Sequence, residues 1–168
     1  MSNEIESTLE LPYKLIDICR GYEHFVFTFK RFDENQSEYS IKNGGVTGDF
    51  EISYECKGVK CNFECDITIG NLYYFYIELD NAYQCCKNSI AILNNYGETL
   101  NRTKLTFRFD KLGHCFISGF FKNKENSYRS GIIFDDIEID QTYIPEILVS
   151  LENFFTELKR IQGHSNFY

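Results

Sequence analysis

The fold is decided in the stretch Ile137-Glu-Ile-Asp-Gln-Thr-Tyr-Ile-Pro-Glu-Ile-Leu-Val-Ser-Leu-Glu-Asn-Phe-Phe155, where the apolar residues change their spacing. Ile137 and Ile139 alternate with acidic residues, which is typical of a half-buried strand. This spacing then gives way to one that predicts an amphipathic helix packed on a sheet. The helical spacing is carried by Ile144, Ile147, Leu148, Leu151, Phe155 and Leu158.

The two ends of this helix carry further signals. We expect Thr142 to accept a hydrogen bond from a first-turn amide, and Pro145 lies early enough for its missing N–H to cost little. Lys159 and Arg160 suit the last turn, and Gly163 follows it. The junction therefore predicts how a helix meets a sheet, but it contains no catalytic chemistry.

Length and composition indicate one globular domain over 1–168, with 1–8 and 162–168 expected to fray. Hydrophobic residues form 43% of the chain and aromatic residues 17%, so we do not expect disorder. The N-terminus lacks the basic and apolar segments of a secretory signal, and no apolar run reaches the length of a membrane span. These features predict a cytoplasmic protein whose seven cysteines are reduced.

The chain is acidic, with 25 Asp and Glu against 17 Lys and Arg and a net charge of −8. This charge argues against nucleic-acid binding, which needs basic residues to displace counterions from phosphates. It favours a basic protein partner, such as the active cleft of a nuclease. The alternative is that the charge serves solubility alone.

Alternating apolar residues predict strands in the first half of the chain. Residues 9–20 are expected to form an edge strand or hairpin, and the glycine cluster at 43–48 predicts a hairpin turn. Lys57-Gly58 predicts a second turn, between two antiparallel strands. The cleanest alternation places three aromatic side chains on the core face of one strand: Phe25, Phe27 and Phe29.

From Asn71 the apolar period becomes helical, with an end expected near Lys87-Asn88. A strand over Leu72–Ile77 is the alternative, because the many Tyr residues have modest helix propensity. A β-meander is then predicted over 89–93, 104–109, 114–121 and 129–140. The sequence therefore predicts an α+β fold: a twisted antiparallel β-sheet rich in meander, with two helices packed on one face and the C-terminal helix last.

No group of residues indicates a catalytic centre. The spacing of Cys56, Cys61 and Cys65 fits strand residues better than zinc ligands, because the tight turn of a Cys-x-x-Cys knuckle is absent. His114 and Cys115 are adjacent in a strand and point to opposite faces, so they cannot form a thiolate–imidazole pair. The histidines have no metal-binding spacing and are expected to be hydrogen-bonded or exposed: His24, His114 and His164.

Carboxylates cluster at two places in the sequence. Asp135 and Asp136 lie on the strand before the last helix, and Asp33, Glu34 and Glu38 lie in one loop. Such carboxylates serve as an acid/base couple, a Mg²⁺ site, a solvated face or a docking surface for a basic protein. Because no cleft, His or phosphate-binding element accompanies them, a solvated face is favoured over an acid/base couple or a Mg²⁺ site, and a docking surface for a basic protein is the third option.

At this point the sequence resembles a known family. The segment Asp140-Gln-Thr-Tyr-Ile-Pro-Glu-Ile147 looks like the Asp-Gln-Thr-Tyr-Leu-Pro-Glu-Leu signature of the WapI-type immunity proteins of bacterial polymorphic toxin and contact-dependent growth inhibition systems. Gly113-His114 with Gly119, and the hairpin Gly44-Gly-Val-Thr-Gly-Asp-Phe50, are similar to further motifs of that family. The motifs follow the family's order over 9–158. The family usually carries a Trp before the glycine hairpin, and this chain has none.

The resemblance implies a cytoplasmic antitoxin that binds one cognate toxin domain and blocks it. It implies no catalysis and no cofactor or metal, and neither nucleic acid nor a membrane is expected as partner. A basic nuclease is the expected toxin, and we hypothesise that it contacts Asp33, Glu34, Glu38, Asp135 and Asp136. The oligomeric state is left open.

Two other functions stay open at this point. A small-ligand-binding or regulatory domain would use an aromatic-lined space between sheet and helices. A metal or thiol enzyme would need bound zinc or a thiol of lowered pKa. A large apolar pocket would favour ligand binding, whereas a filled core with a flat acidic face would favour an immunity protein.

Overall fold

The computed structural model describes residues 9–33, 45–96, 102–122 and 131–161. Within these ranges it contains two four-stranded antiparallel sheets and two helices. The first sheet has the order β1 (Tyr13–Arg20), β2 (Glu23–Phe32), β3 (Thr47–Cys56) and β4 (Val59–Thr68). Helix α1 (Ile69–Cys85) leads to the second sheet, with the order β5 (Ser89–Tyr96), β6 (Arg102–Phe109), β7 (Cys115–Lys122) and β8 (Gly131–Ile139). Helix α2 (Tyr143–Ile161) follows β8.

The predicted α+β class, the antiparallel strands and the final helix are confirmed. The strands form two sheets, however, where the sequence suggested one. Helix α1 follows β4 directly and carries the chain about 25 Å, at ~1.5 Å per residue, before β5 begins. Strand β5 therefore starts a new sheet with β6. Neither helix of the described ranges combines the length and apolar composition that a membrane crossing requires.

Several predicted features lie outside the described residues. They are the terminal segments 1–8 and 162–168 and the first part of the glycine cluster, 43–44. The second part of that cluster leads into β3, which begins at Thr47. The strand predicted in 9–20 is present as β1, which pairs with β2 at the edge of the first sheet.

The two sheets bury one common core of aromatic and aliphatic side chains. Phe25, Phe27 and Phe29 are buried on one face of β2, as their alternation predicts. Across the sheets, the ring of Phe134 on β8 lies 5.4 Å from that of Phe25 and 5.2 Å from that of Tyr54. Complete burial of one such ring contributes about 1.5–3 kcal/mol, so these contacts hold the sheets together.

The position of Phe134 depends on a glycine in the neighbouring strand. Gly119 on β7 lies directly opposite Phe134. A Cβ atom at Gly119 would lie 2.3 Å from the Phe134 ring, which is far inside van der Waals contact. The glycine is therefore required here for close packing between strands.

Helix α1 confirms the helical interpretation of the segment after Asn71, and the alternative strand over Leu72–Ile77 is wrong. The helix begins after Thr68, whose hydroxyl accepts a hydrogen bond from the Asn71 amide at 3.3 Å. It ends at Cys86, which adopts the left-handed conformation with a φ of 53°. Local caps therefore define both ends, while buried apolar side chains hold the helix against the sheets.

Each helix covers the edge strand of one sheet. The Glu78 carboxylate on α1 accepts a hydrogen bond from the Ile92 amide of β5 at 2.9 Å. The Ser150 hydroxyl on α2 donates to the Lys14 carbonyl of β1 at 2.7 Å. Backbone groups that would otherwise be left unpaired at these two edges thus find partners on the helices.

The junction between β8 and α2 follows the predicted change of period, but its hydrogen bonds centre on Asp140. The Asp140 carboxylate accepts a bond from the Thr142 amide at 2.9 Å and a second one from the Thr142 hydroxyl. These bonds hold the pKa of Asp140 below its usual value. Asp140, rather than Thr142, is thus the acceptor at this turn. The helix buries the predicted apolar residues Ile144, Ile147, Leu151, Phe155 and Leu158.

We predict that Gly119→Ala destabilises the protein by about 2 kcal/mol, because the added methyl group displaces the Phe134 ring. Unfolding in urea measures the change. In a Phe134→Leu background the same substitution should cost less, since the closest ring is gone and only the contact with the Phe121 ring, at 2.6 Å, remains. An equal cost in both backgrounds would contradict this steric explanation.

We predict that Asp140→Ala lowers the free energy of unfolding at neutral pH, and that this difference disappears in acid. The folded-state pKa of Asp140 is lowered, so its contribution is complete above the unfolded pKa of about 3.9. The contribution is lost as the pH falls through the folded-state pKa. Thermal unfolding at neutral pH and at about pH 2.5 checks this. A difference that does not change with pH would show that the carboxylate charge is unimportant there.

Candidate functional site

Acidic side chains face each other across the β3–β4 hairpin on the outer surface of the first sheet. Asp49 lies directly opposite Asp66, and Glu51 lies directly opposite Glu64. We call these four residues the acidic face. Side chains in such positions have Cβ atoms about 4.5–5.5 Å apart, and like charges there destabilise a sheet.

The turn between β3 and β4 sets this register. Lys57 and Gly58 form a two-residue turn with φ values of 48° and 82°, the positive values that a type I′ hairpin requires. Cys56 therefore pairs with Val59, and each later pair follows from this one. Because side chains alternate between faces, the apolar residues of both strands point into the core and the acidic residues point outward.

Basic side chains of β2 balance the β3 half of the acidic face. The Lys30 ammonium lies 3.3 Å from the Glu51 carboxylate, and the Arg31 guanidinium lies 2.9 Å from the Asp49 carboxylate. Both ion pairs are partly exposed, so each contributes about 0–1 kcal/mol. From β2 to β4, the order of charges across the sheet is positive, negative, negative.

The β4 half of the acidic face lies next to a sheet edge. Glu64 is exposed and forms no ion pair within the described part of the chain. On one side it faces the equally charged Glu51, and on the other side β4 has no neighbouring strand among the described residues. Among the described residues, Glu64 therefore adds a negative charge at this edge that no ion pair balances.

One of the five residues predicted to contact a partner lies beside the acidic face. Asp33 follows β2, and its amide donates to the Thr47 carbonyl at 2.9 Å. It lies two positions after Arg31, which places it on the same side of the sheet. Glu34 and Glu38 lie outside the described residues.

Two further predicted residues, Asp135 and Asp136, lie on the second sheet in a β-bulge opposite Ser118. The Ser118 hydroxyl donates to the Asp135 carboxylate at 2.8 Å and accepts a bond from the Asp136 amide at 3.0 Å. The Arg108 guanidinium donates to the Asp136 carboxylate at 2.7 Å. Both carboxylates therefore help to hold the bulge, in which Asp136 has a positive φ of 49°.

The structure does not bring these two predicted groups together. Phe134, next to Asp135, packs against Phe25 on β2. Asp33 lies eight residues further along the chain than Phe25. Eight residues of strand span roughly 26 Å at ~3.3 Å per residue. Asp33 and Asp135 thus belong to separate surfaces.

The two described histidines pair with carboxylates, as expected for hydrogen-bonded side chains. His24 Nε2 lies 2.7 Å from Asp17, and His114 Nδ1 lies 3.2 Å from Asp110. Burial opposes ionisation of Asp17, but hydrogen bonds from Lys14 and His24 hold the pKa of Asp17 below its usual value. The third histidine lies outside the described residues.

The seven cysteines are free thiols. Cys65 and Cys115 are buried, and burial raises the pKa of each thiol to about 12, so both stay protonated at neutral pH. Cys61 and Cys65 share the inner face of β4, as small apolar residues do. In the described ranges, no three His, Cys, Asp or Glu residues are grouped in a way that would hold a metal ion.

The contact zone between the sheets is filled by side chains. The cavity there measures about 10 Å³ and is lined by residues such as Ile18, Phe25 and Ile117. A single water needs about 10–15 Å³, so this space admits no larger ligand. Larger clefts lie at the surface, with about 530 Å³ between α1 and β5 and about 670 Å³ beside the Lys57-Gly58 turn.

The acidic face is not visible as a cluster along the chain, although the sequence carries a signal for it. A two-residue turn at Lys57-Gly58 requires residues 56 and 59 to pair, so 51 must face 64 and 49 must face 66. Carboxylates at these alternate positions then lie on one face. The signal is the pairing of residues across two strands. Residues that are adjacent in the sequence, such as Asp135 and Asp136, do not reveal it.

No protein-family model matches the chain, and no curated protein matches it either. The resemblance to WapI-type immunity proteins therefore stays a prediction.

We predict that Glu64→Lys raises the free energy of unfolding by about 0.5 kcal/mol, because it replaces a like-charge pair with an opposite-charge pair facing Glu51. Thermal unfolding at low ionic strength measures the gain, which added salt should reduce. Asn62→Lys is the matched control, since its lysine lies opposite the uncharged Ser53 and should gain less. A loss of stability in Glu64→Lys would contradict repulsion between Glu51 and Glu64.

Proposed function

We propose that this chain is a cytoplasmic immunity protein that binds a basic toxin domain, a nuclease, through the acidic face and inhibits it without catalysis or a cofactor. The observation that carries the proposal is the pair of like-charge contacts, Asp49 with Asp66 and Glu51 with Glu64, on the outer surface of the first sheet. Asp33 extends this surface at the end of β2.

The acidic face has a stability cost that a basic partner would remove. Like charges directly opposite each other on adjacent strands are unfavourable; Asp49 and Glu51 form ion pairs with β2, whereas Glu64 forms none within the described residues. A partner that places Lys or Arg against Glu64 and Glu51 would replace repulsion with attraction. The repulsion that destabilises the free chain would thus be replaced by an attraction that stabilises the complex.

The chemistry of a nuclease suits this surface. An active cleft that binds phosphates carries basic residues, and carboxylates can occupy the same positions as phosphates. Opposite charges also raise the association rate by steering the encounter, most strongly at low salt. Rapid capture matters for a cell that makes its own toxin.

The ligand-binding alternative has less support from the geometry. It was expected to use an aromatic-lined space between sheet and helices. The described cleft between a helix and a sheet, about 530 Å³ between α1 and β5, is open at the surface, and among the described residues that line it only Tyr74 is aromatic. The acidic face, in contrast, has the charge that a basic protein partner would contact.

We predict that the double substitution Glu51→Lys and Glu64→Lys slows association with the toxin domain at least about tenfold at low salt and flattens its salt dependence. The partner to use is the C-terminal domain encoded by the reading frame immediately upstream of this chain. Stopped-flow binding measures the rate, and thermal unfolding confirms that the variants are folded.

The matched control carries Glu146→Lys and Glu152→Lys, two exposed positions on α2 with the same total change of charge. Equal slowing in both double variants would show that net charge alone directs binding. Asp135→Lys tests the second surface and is expected to leave the rate unchanged. If the native chain does not bind the upstream domain, the proposed function is wrong.

A further inference from the structure

We propose that the partner docks by strand addition: an extended basic segment pairs antiparallel with the edge of β4 at Asn62 and Glu64 and becomes a fifth strand of the first sheet. This inference rests on the proposed function, because it describes how the basic partner engages the acidic face. It follows from three observations, which are the protection of the other sheet edges, the direction of the β4 backbone groups and the order of charges.

The other three sheet edges are covered or blocked. Helix α2 lies along β1, and helix α1 lies along β5 with Glu78 bonded to the Ile92 amide. On β8, the Arg20 guanidinium donates to the Glu138 carbonyl, and the bulge at Asp135 and Asp136 interrupts the edge. In the part of the chain that the structure describes, β4 alone has an edge with neither a helix nor a bulge along it.

The backbone groups at this edge belong to the residues that carry the acidic face. In a two-residue type I′ hairpin the flanking residues, here Cys56 and Val59, exchange both hydrogen bonds. Bonded pairs then alternate with unbonded pairs, so Glu64 and its neighbour on the same face, Asn62, direct their N–H and C=O groups away from β3. A new strand would bond to these same residues.

The order of charges specifies what that strand should carry. Across the sheet, Lys30 on β2 forms an ion pair with Glu51 on β3, and Glu51 lies directly opposite Glu64 on β4. A lysine or arginine opposite Glu64 would add a positive charge next to β4. The charges would then run positive on β2, negative on β3, negative on β4 and positive on the new strand. A second basic residue two positions away would lie opposite Asp66 or Asn62, because alternate residues share one face.

Strand addition makes a prediction about individual amides of the partner. In an antiparallel pair, a residue directly opposite Glu64 exchanges both backbone bonds with it, because the Glu64 N–H and C=O point outward. The basic residues must therefore direct their own amides toward β4. The residues between them direct their amides away from it.

The probe is a ten-residue peptide of alternating Lys and Val with blocked ends, compared with two N-methylated forms. N-methylation at every Lys removes the amides that face β4, whereas N-methylation at every Val removes those that face solvent. We expect the first to weaken binding about tenfold or more, measured by fluorescence anisotropy, and the second to weaken it less than about threefold. A peptide of alternating Glu and Val should not bind.

A variant of the protein gives an independent test. Asn62→Pro removes one outward amide of β4 and leaves the ladder to β3 intact, because this residue lies in an unbonded pair with Ser53. Peptide affinity should fall at least about fivefold in Asn62→Pro and stay unchanged in Asn62→Ala. If the proline variant unfolds, the two methylated peptides still test the native chain.

Three results would overturn strand addition. The first is equal binding of both methylated peptides, which would indicate attraction by charge alone and leave the proposed function standing. The second is no binding of the unmodified peptide. The third is a dimer of the free chain, seen by sedimentation, that Asn62→Pro dissociates, because a second copy would then occupy the edge.

Discussion

Backbone amides and carbonyls at the edge of a β-sheet have no partner within the sheet, and this constraint governs how the elements of the molecule are arranged. Helix α1 lies along β5, where Glu78 accepts the Ile92 amide, and helix α2 lies along β1, where Ser150 bonds to Lys14. Because both helices cover edges, the outer faces of the two sheets keep their polar residues in contact with solvent. On the outer face of the first sheet, these polar residues include Asp49, Glu51, Glu64 and Asp66.

Local patterns predicted the elements well, because each pattern has a local physical cause. Phe25, Phe27 and Phe29 alternate because one side of β2 is buried, and Lys57-Gly58 forms a tight turn because these residues adopt positive φ. The division into two sheets has no such local signal. It depends on which strands meet after a 17-residue helix, and alternation within a strand carries no information about that.

Local sequence patterns also fail to predict which carboxylates come together in the folded chain. Asp135 and Asp136 drew attention because they are adjacent in the sequence, yet their adjacency reflects a bulge. Phe134 and Ile137 are separated by two residues where strict alternation requires one, so the extra residue could be recognised from the sequence. Glu51 and Glu64 are 13 positions apart in the sequence, and only the hairpin register brings them together.

The contacts of a carboxylate separate a structural role from a functional one. Glu78, Asp136 and Asp140 each accept a hydrogen bond from a group of this chain, so the fold uses their charge and would lose stability without it. Glu64 has no ion pair in the described ranges and faces a like charge across the hairpin. A lysine at position 64 would give the isolated chain a higher free energy of unfolding than Glu64 does, since Glu51 on the opposite strand is acidic. The pair Glu51 and Glu64 therefore does not stabilise the isolated fold, and this is why the proposed binding surface is assigned to the acidic face rather than to the junction between β8 and α2.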